Sequence, residues 1–378
     1  MNDLASLDLA APDIAVRDLG VSDLPPSDMA PPRCAARAGF SATPVVFNAR
    51  SQLSGLAIGD LNADGRPDLV VGNWAEVTVG VFLNQGGASF PTKTNYPAGV
   101  QPGWLAIGDL NGDGKPDLAV TNHFDDNFRV LLNQTNGTFD FGVTYPGGYR
   151  PGPVALGDMN ADGKADLVIA DGDTTVGVFL NQGSATFPTS TDYDAGQYAA
   201  SLALADLNGD GLPDVVEVNY FASVVNVLIN RGAGVLSPRV QYATGKSPVS
   251  VAARDLNGDG TPDVVVANVD DNSISVFLNQ GAGVFGTRVD YPTGKNPASL
   301  VIADLDSDGS ADLALSNRYD GTVSVLVNSG SGTFATKVDY PIGAGPSVLV
   351  VGDLNGDGRL DLAAALDFEV AMLMGGCP

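Results

Sequence analysis

The sequence is short of positive charge, of histidine and of cysteine, and each shortage excludes something. Among 378 residues there are 19 Lys and Arg, one His and two Cys. The basic residues form no run, so the electrostatic footprint of a nucleic-acid or anionic-membrane binder is missing and neither partner is expected. No stretch reaches the roughly 20 consecutive apolar residues of a membrane span, and the N-terminus lacks a charged start followed by an apolar core. The chain therefore reads as soluble, with no direct membrane insertion. One histidine and no nucleophile motif leave little material for acid–base or covalent catalysis. Helical periodicity is lacking too, which points to an all-β fold.

What is abundant is acid, and it is not spread evenly. The formal net charge is -25, from 44 Asp and Glu. Of these, 22 lie in seven copies of one nonapeptide, three in each of six copies and four in the copy from Asp304 to Asp312. The copies begin at Asp60, Asp109, Asp158, Asp206, Asp255, Asp304 and Asp353, a step of 49 residues five times and 48 once. So fixed a beat implies one repeat array rather than two or three separate domains. Half the acid sits in short loops, which suggests bound cations more than a diffuse acidic field.

Positions one, three, five, seven and nine of the nonapeptide are Asp60, Asn62, Asp64, Arg66 and Asp68 in the first copy. They are Asp109, Asn111, Asp113, Lys115 and Asp117 in the second, and Asp158, Asn160, Asp162, Lys164 and Asp166 in the third. Next come Asp206, Asn208, Asp210, Leu212 and Asp214, then Asp255, Asn257, Asp259, Thr261 and Asp263. The last two sets are Asp304, Asp306, Asp308, Ser310 and Asp312, and Asp353, Asn355, Asp357, Arg359 and Asp361. Alternate positions of a tight loop can aim side-chain oxygens at one point, Gly at position six permits the sharp turn, and the carbonyl of position seven adds a backbone oxygen. Hard oxygen donors in that number favour Ca²⁺ over Mg²⁺, giving up to seven structural ions. The loop opens like an EF-hand, but position twelve is Val71, Val120 or Ile169 instead of Glu, with Gly72, Thr121 or Ala170 after it, so Asp at nine is expected to close the site. Asp306 gives the sixth loop one more carboxylate than the others. Seven Ca²⁺ would add 14 charges and bring -25 to -11.

Each unit carries four strand-like runs, in the second Leu105 to Ile107, Leu118 to Val120, Val130 to Leu132 and Phe139 to Tyr145. The first two read as strands buried on both faces and the fourth as an outer edge. A turn opening with Asn, such as Asn84-Gln85-Gly86-Gly87, separates the third and fourth, where Asn and Gly are expected to supply positive φ. Phe and Tyr six apart mark the fourth run, as in Phe90 and Tyr96 or Phe285 and Tyr291, and read as packing between units. Four antiparallel strands in a unit of about 49 residues, seven times over, predict a seven-bladed β-propeller. The last unit stops at Pro378 without a fourth strand, and Phe40 to Phe47 resembles the missing one, so the N-terminal strand is expected to complete the last blade. A monomeric ring follows.

Residues 1–33 precede it as a disordered Asp/Pro-rich linker, with Asp3, Asp8, Asp13, Asp18, Asp23 and Asp28 five apart, a period that fits neither helix nor strand. The propeller domain then spans 34–378. Cys34 lies just before the N-terminal strand and Cys377 just after the strand that it must join, so a Cys34–Cys377 disulfide is expected. It would close nearly the whole chain, stabilising by about 4 to 5 kcal/mol on loop entropy, and would imply an oxidising compartment.

The repeated unit resembles FG-GAP or VCBS repeats, the blades of the integrin α-subunit propeller and of many bacterial surface proteins, over about residues 38 to 374. That resemblance implies that each acidic loop joins the first two strands of a blade and holds Ca²⁺. Two departures from integrins stand out: all seven blades carry the loop, and Gly72-Asn73 stands where integrins have Gly-Ala-Pro. Residues 2 to 31 resemble the Asp-Leu/Pro stretch after the lipid-anchored cysteine of some bacterial lipoproteins, which implies a secreted, periplasmic or cell-surface tethered protein.

Connectivity puts the acidic loops on one face of the disc, and on the opposite face the repeat breaks down. Trp74, His123, Tyr220, Arg318, Tyr319 and Phe368 fall in second-to-third connections; Trp104, Tyr149, Arg150 and Tyr198 fall near interblade turns. Aromatic rings mixed with Arg and carboxylates suit a glycan or protein ligand. The function expected is a non-catalytic, calcium-stabilised recognition or adhesion module, and the alternative is a polysaccharide lyase or hydrolase in which His123, Tyr149, Arg150 or Tyr198 acts. A fungal lectin family with the same propeller binds sugar at several equivalent positions. The loops at Asp171 and Asp270 lack aromatics here, so sevenfold sugar sites are not expected.

Overall fold

The structure, a computed structural model, describes residues 39–172 and 174–376. No helix occurs among them. Seven four-stranded antiparallel sheets form the blades, the first six ordered from inner to outer strand along the chain. Blade 1 is Leu53–Gly59, Asp68–Asn73, Thr78–Phe82 and Lys93–Pro97. Blade 4 is Ala199–Ala205, Asp214–Asn219, Val224–Leu228 and Val240–Ala243. Inner and second strands are continuous apolar runs because a neighbouring blade covers each of their faces.

The inner strands touch in sequence around a closed circle, the last (Val348–Gly352) against the first. At their crowded start only glycine fits in blade 1, since a Cβ on Gly55 would stand 2.3 Å from the Gly103 carbonyl. In blade 3 the inner strand shrinks to Val154–Gly157, because Pro153, at a place where no other blade has Pro, has no N–H to give to the ladder. Closure is as expected: Val45–Asn48 pairs with Glu369–Leu373 as the outer strand of blade 7, and Gly39–Phe40 adds a short pairing with Gly375–Gly376. Cys34, Cys377 and the expected linker 1–33 lie outside the described residues.

There is no single central core. Apolar side chains gather in seven clusters, one at each junction between blades. The aromatic pairs bridge these junctions, with a Tyr of one blade edge-on to a Phe of the next: Tyr96 on Phe139, Tyr145 on Phe187, Tyr242 on Phe285 and Tyr291 on Phe334. At the seam Phe40 meets Tyr340 and Phe47 stacks on Phe90, so the N-terminal strand supplies both partners. One boundary needs correction. In blade 2 the outer strand is only Val143–Pro146, while Phe139 ends a separate small hairpin, Asn133–Thr135 with Thr138–Phe139, which turns its ring into the junction.

Candidate functional site

The two faces of the disc are built differently. On the first, each acidic loop folds its oxygens inward. In blade 1 the Asp60 carboxylate accepts the N–H groups of Asp64 and Gly65 at 3.1 and 2.8 Å, and Asn62 Oδ1 accepts that of Asp64 at 3.0 Å. Asp64 Oδ1 accepts the N–H of Arg66 at 3.0 Å. Loops 2 and 3 repeat the pattern, with Lys115 and Lys164 each 2.7 Å from the position-five carboxylate, whose pKa their hydrogen bonds hold below the usual range. In loops 4 to 7 the N–H of the position-six Gly likewise donates to the position-one Asp.

Position nine has a duty that the sequence reading did not see. Asp68 is fully buried, and its two oxygens accept the N–H groups of Leu61 and Asn84 at 2.9 and 2.7 Å. Asn84 in turn donates its amide to the Leu354 carbonyl in the loop of the preceding blade, at 2.8 Å. Asn133, Asn181, Asn230, Asn279 and Asn328 do the same around the ring. The Asn that opens the hairpin is therefore a strut between blades and not a source of positive φ, which later residues of the turn adopt, Gly86, Gly87 and Ala88 in blade 1 and Asn136 and Gly137 in blade 2. An Asp at nine in every copy thus has a structural reason that is independent of any ion. Burial, first of all, pushes the carboxyls of Asp68, Asp117, Asp214 and Asp361 up to about 6 and that of Asp312 to about 7. Asp166 and Asp263 are raised for the same reason.

The donor set fits a hard cation best in loop 6. Oxygens of Asp304, Asp306 and Asp312 lie within 4.8 Å of one another, the one such cluster of three acidic groups among the described residues. Asp306 is buried, and burial together with Asp308 raises its pKa. Position seven there is Ser310, so no basic side chain of the loop offsets the acids. In the other loops Asn at three takes the place of that third carboxylate.

On the opposite face the predicted residues divide into two aromatic clusters and four side chains outside them. His123, half-buried, lies between Trp104 at 6.2 Å and Phe124 at 5.1 Å, ring centre to ring centre. Arg150 covers Phe124 and Tyr149 at 5.8 and 5.3 Å. Burial, reinforced by Arg150, lowers the His123 pKa and keeps the ring neutral. Trp104 is a correction: it belongs to the inner strand Pro102–Gly108 and is 4% exposed, a wedge beside Gly152 in the junction of blades 2 and 3 rather than a surface ring. The second cluster is Tyr198, Tyr220 and Phe221, with Phe221 5.4 and 5.2 Å from the two tyrosines. Trp74, Arg318, Tyr319 and Phe368 stand on blades 1, 6 and 7, where Phe368 lines a groove of about 420 Å³ between blades 6 and 7.

Beside the second cluster, between blades 3 and 4, opens a groove of about 410 Å³ that the sequence reading missed. Asp194 and Gln197 line it from blade 3; Asn219, Phe221, Arg239 and Gln241 line it from blade 4. Arg239 crosses the junction to Asp194 at 3.3 Å. Behind the wall sits Glu217, fully buried, whose carboxylate accepts the amide of Asn226. Asn226 also accepts the amide of Gln241 at 2.9 Å, so a chain of polar contacts runs from the buried acid to the groove. Burial pushes the Glu217 carboxyl up to about 8, with Asn226 and Arg239 opposing. A signal was present in the sequence: the residues in register with Glu217 are Val71, Val120, Ile169, Val266, Leu315 and Ala364, all apolar.

The fold has many relatives among solved structures. An Agrocybe aegerita lectin, described as recognising non-reducing terminal N-acetylglucosamine, matches with a TM-score of 0.59 and 21% identity, over 85% of each chain. Virginiamycin B lyase from Staphylococcus aureus matches at 0.63 with 12% identity, over 89% of this chain and 99% of the other. BBS1N, in complex with ARL6DN, matches at 0.64 with 14% identity, over 91% and 98%. At such identities the likeness concerns the fold alone. No curated protein sequence matches the chain. The model of the FG-GAP-like repeat matches residues 60–120, 109–169, 158–217, 218–266, 255–315 and 308–364. With the acidic loop between first and second strands in every blade and most of the chain matched, the protein belongs to the FG-GAP-like repeat family.

Proposed function

We propose that this protein is a calcium-stabilised recognition or adhesion module of the cell surface or extracellular space, which binds a glycan or a protein through the face opposite the acidic loops. The observation that carries this reading is the division of labour between the faces. One repeats the same oxygen-lined loop seven times and is joined blade to blade by buried Asp and Asn. The other varies in every blade and exposes Phe124, Tyr149, Phe221, Tyr319 and Phe368. Scaffold positions repeat, whereas positions that meet a ligand are free to differ.

In the acidic loops, side-chain oxygens of positions one, three, five and nine and the carbonyl of position seven would hold Ca²⁺. The ion would offset carboxylates that otherwise repel one another. Binding rather than cleavage is favoured because the carboxylate exposed in the groove, Asp194, is engaged by Arg239, and His123 is packed between rings. A glycan array run beside a polysaccharide-degradation assay tests the reading. Retention of a glycan without cleavage is expected; new reducing or unsaturated ends would overturn it in favour of a lyase or hydrolase.

A further inference from the structure

Four departures from the repeat meet at the junction of blades 3 and 4. Glu217 stands where the other blades have an apolar residue, and Asn226, opposite it, stands where they have Gly80, Arg129, Gly177, Ser275, Ser324 or Ala371. Gln241 stands where blades 5 and 6 have Asp290 and Asp339, each paired within its own strand region to Arg288 or Lys337. With no acid at 241, Arg239 instead reaches Asp194 of blade 3, which occupies the place of Pro97, Pro146, Pro292 and Pro341. A buried carboxyl in an apolar junction costs free energy that a valine would not. One of its oxygens, Oε2, has no hydrogen-bond partner among the described residues. What the arrangement yields is a fixed Gln241: its amide is held by Asn226, which is held by Glu217 and by the Ala195 carbonyl at 2.8 Å.

We infer that the groove between blades 3 and 4 is a binding site for a neutral saccharide, with Asp194, Asn219, Arg239 and Gln241 as the polar contacts, Phe221 as the ring platform and Glu217 as a positioning residue. This rests on the recognition reading and names its ligand class. The site combines acceptors (Asp194), donors (Arg239) and amides that serve as both, the mixture that sugar hydroxyls match. Phe221, 63% exposed and braced by Tyr198 and Tyr220, offers an apolar face to the C–H side of a pyranose. The volume suits one or two sugar rings. Arg239 is already engaged by Asp194, so the groove has no surplus positive charge for a sulfated or uronic acid chain. Blades 5 and 6, with their Arg288–Asp290 and Lys337–Asp339 pairs, lack the set, and the corresponding groove between blades 6 and 7 has Pro341, Pro44 and Val46 in the places of Asp194, Arg239 and Gln241, so the site is not sevenfold.

The experiment is calorimetric titration of the whole chain with neutral mono- and disaccharides, and with sulfated and uronate counterparts, beside Gln241→Ala, Phe221→Ala and, as a control on the acidic-loop face, Val284→Ala at an exposed hairpin position. Saturable binding of a neutral sugar is expected, weakened tenfold or more by Gln241→Ala and by Phe221→Ala and unchanged by Val284→Ala. Glu217→Gln keeps the acceptor for Asn226 and should bind as the parent does. Glu217→Val installs a residue that other blades carry; it should weaken binding several-fold while the thermal midpoint is kept or raised, a combination that a purely structural role does not produce. Neutral-sugar binding that ignores both groove variants overturns the site while leaving the recognition reading intact. Preference for the anionic sugars, or a protein ligand lost on the same substitutions with no sugar bound, overturns the ligand class, as does a lack of heat with every sugar.

Discussion

Asn230 shows at the scale of one residue how the blades are tied together. Its amide donates to Met159 of the preceding loop at 2.9 Å and to Pro213 at 3.2 Å, while its own N–H goes to Asp214 at 2.7 Å. Asn230→Ala leaves two buried carbonyls short of a donor, and a loss of about 1–3 kcal/mol is expected, read as a fall in the midpoint of thermal unfolding. Glu217 gives a pH-dependent counterpart. Its carboxyl titrates near 8 in the fold against an ordinary 4.5, because burial outweighs Asn226 and Arg239, and Asp194 adds to the rise. The native chain therefore keeps a proton that the unfolded chain has lost, so this group's contribution is complete below the ordinary value and falls away as pH rises through the folded one. Glu217→Gln has no such proton. Relative to the parent it should gain stability by a few kcal/mol between about pH 5 and pH 9, measured by denaturant unfolding; parallel curves would refute the placement of the acid.

Among the loops, the sixth differs from the rest by a single atom type at position three, Asp306 for Asn. Three carboxylates within 4.8 Å repel, and a divalent ion turns that repulsion into attraction. With calcium as the ion, Asp306→Asn should stabilise the ion-free protein and shrink the rise in melting temperature on adding Ca²⁺. An equal rise in variant and parent would remove the distinction between this loop and its neighbours. The loops were legible in the sequence because every ligand candidate lies within nine residues. The hairpin Asn was misread for the opposite reason: its partner, the Leu354 carbonyl for Asn84, is 270 positions away. Trp104 was misplaced because sequence spacing put it near a turn, while strand pairing begins at Pro102 and carries its side chain into the junction.

For the whole ring, stability depends on closure and on charge. Blade 7 is finished by Val45–Asn48, and the seam is packed with Phe40 against Tyr340 and Phe47 against Phe90. Removal of residues through Asn48 would bare the edge of Glu369–Leu373 and split three aromatic pairs, Phe40 with Tyr340 and Phe47 with Phe82 and Phe90. Aggregation or a marked drop in melting temperature is the expected result, seen by light scattering and calorimetry. Chelation should likewise lower the melting temperature, reversibly with Ca²⁺, since the ion-free chain carries its formal -25 uncompensated. A melting curve indifferent to chelator would remove calcium from the account.

The sequence by itself determined the number of blades, the strand order and the place of the acidic loops, because these are local patterns repeated at one period. It also showed which face varies. Only the tertiary structure decided what that variation makes. The groove is assembled from Asp194 on one blade and Asn219, Phe221, Arg239 and Gln241 on the next, and Glu217 becomes meaningful only once strand register sets it opposite Asn226. Junctions between blades join residues that are far apart along the chain, and a repeat period carries no information about the single place where it is broken across two units.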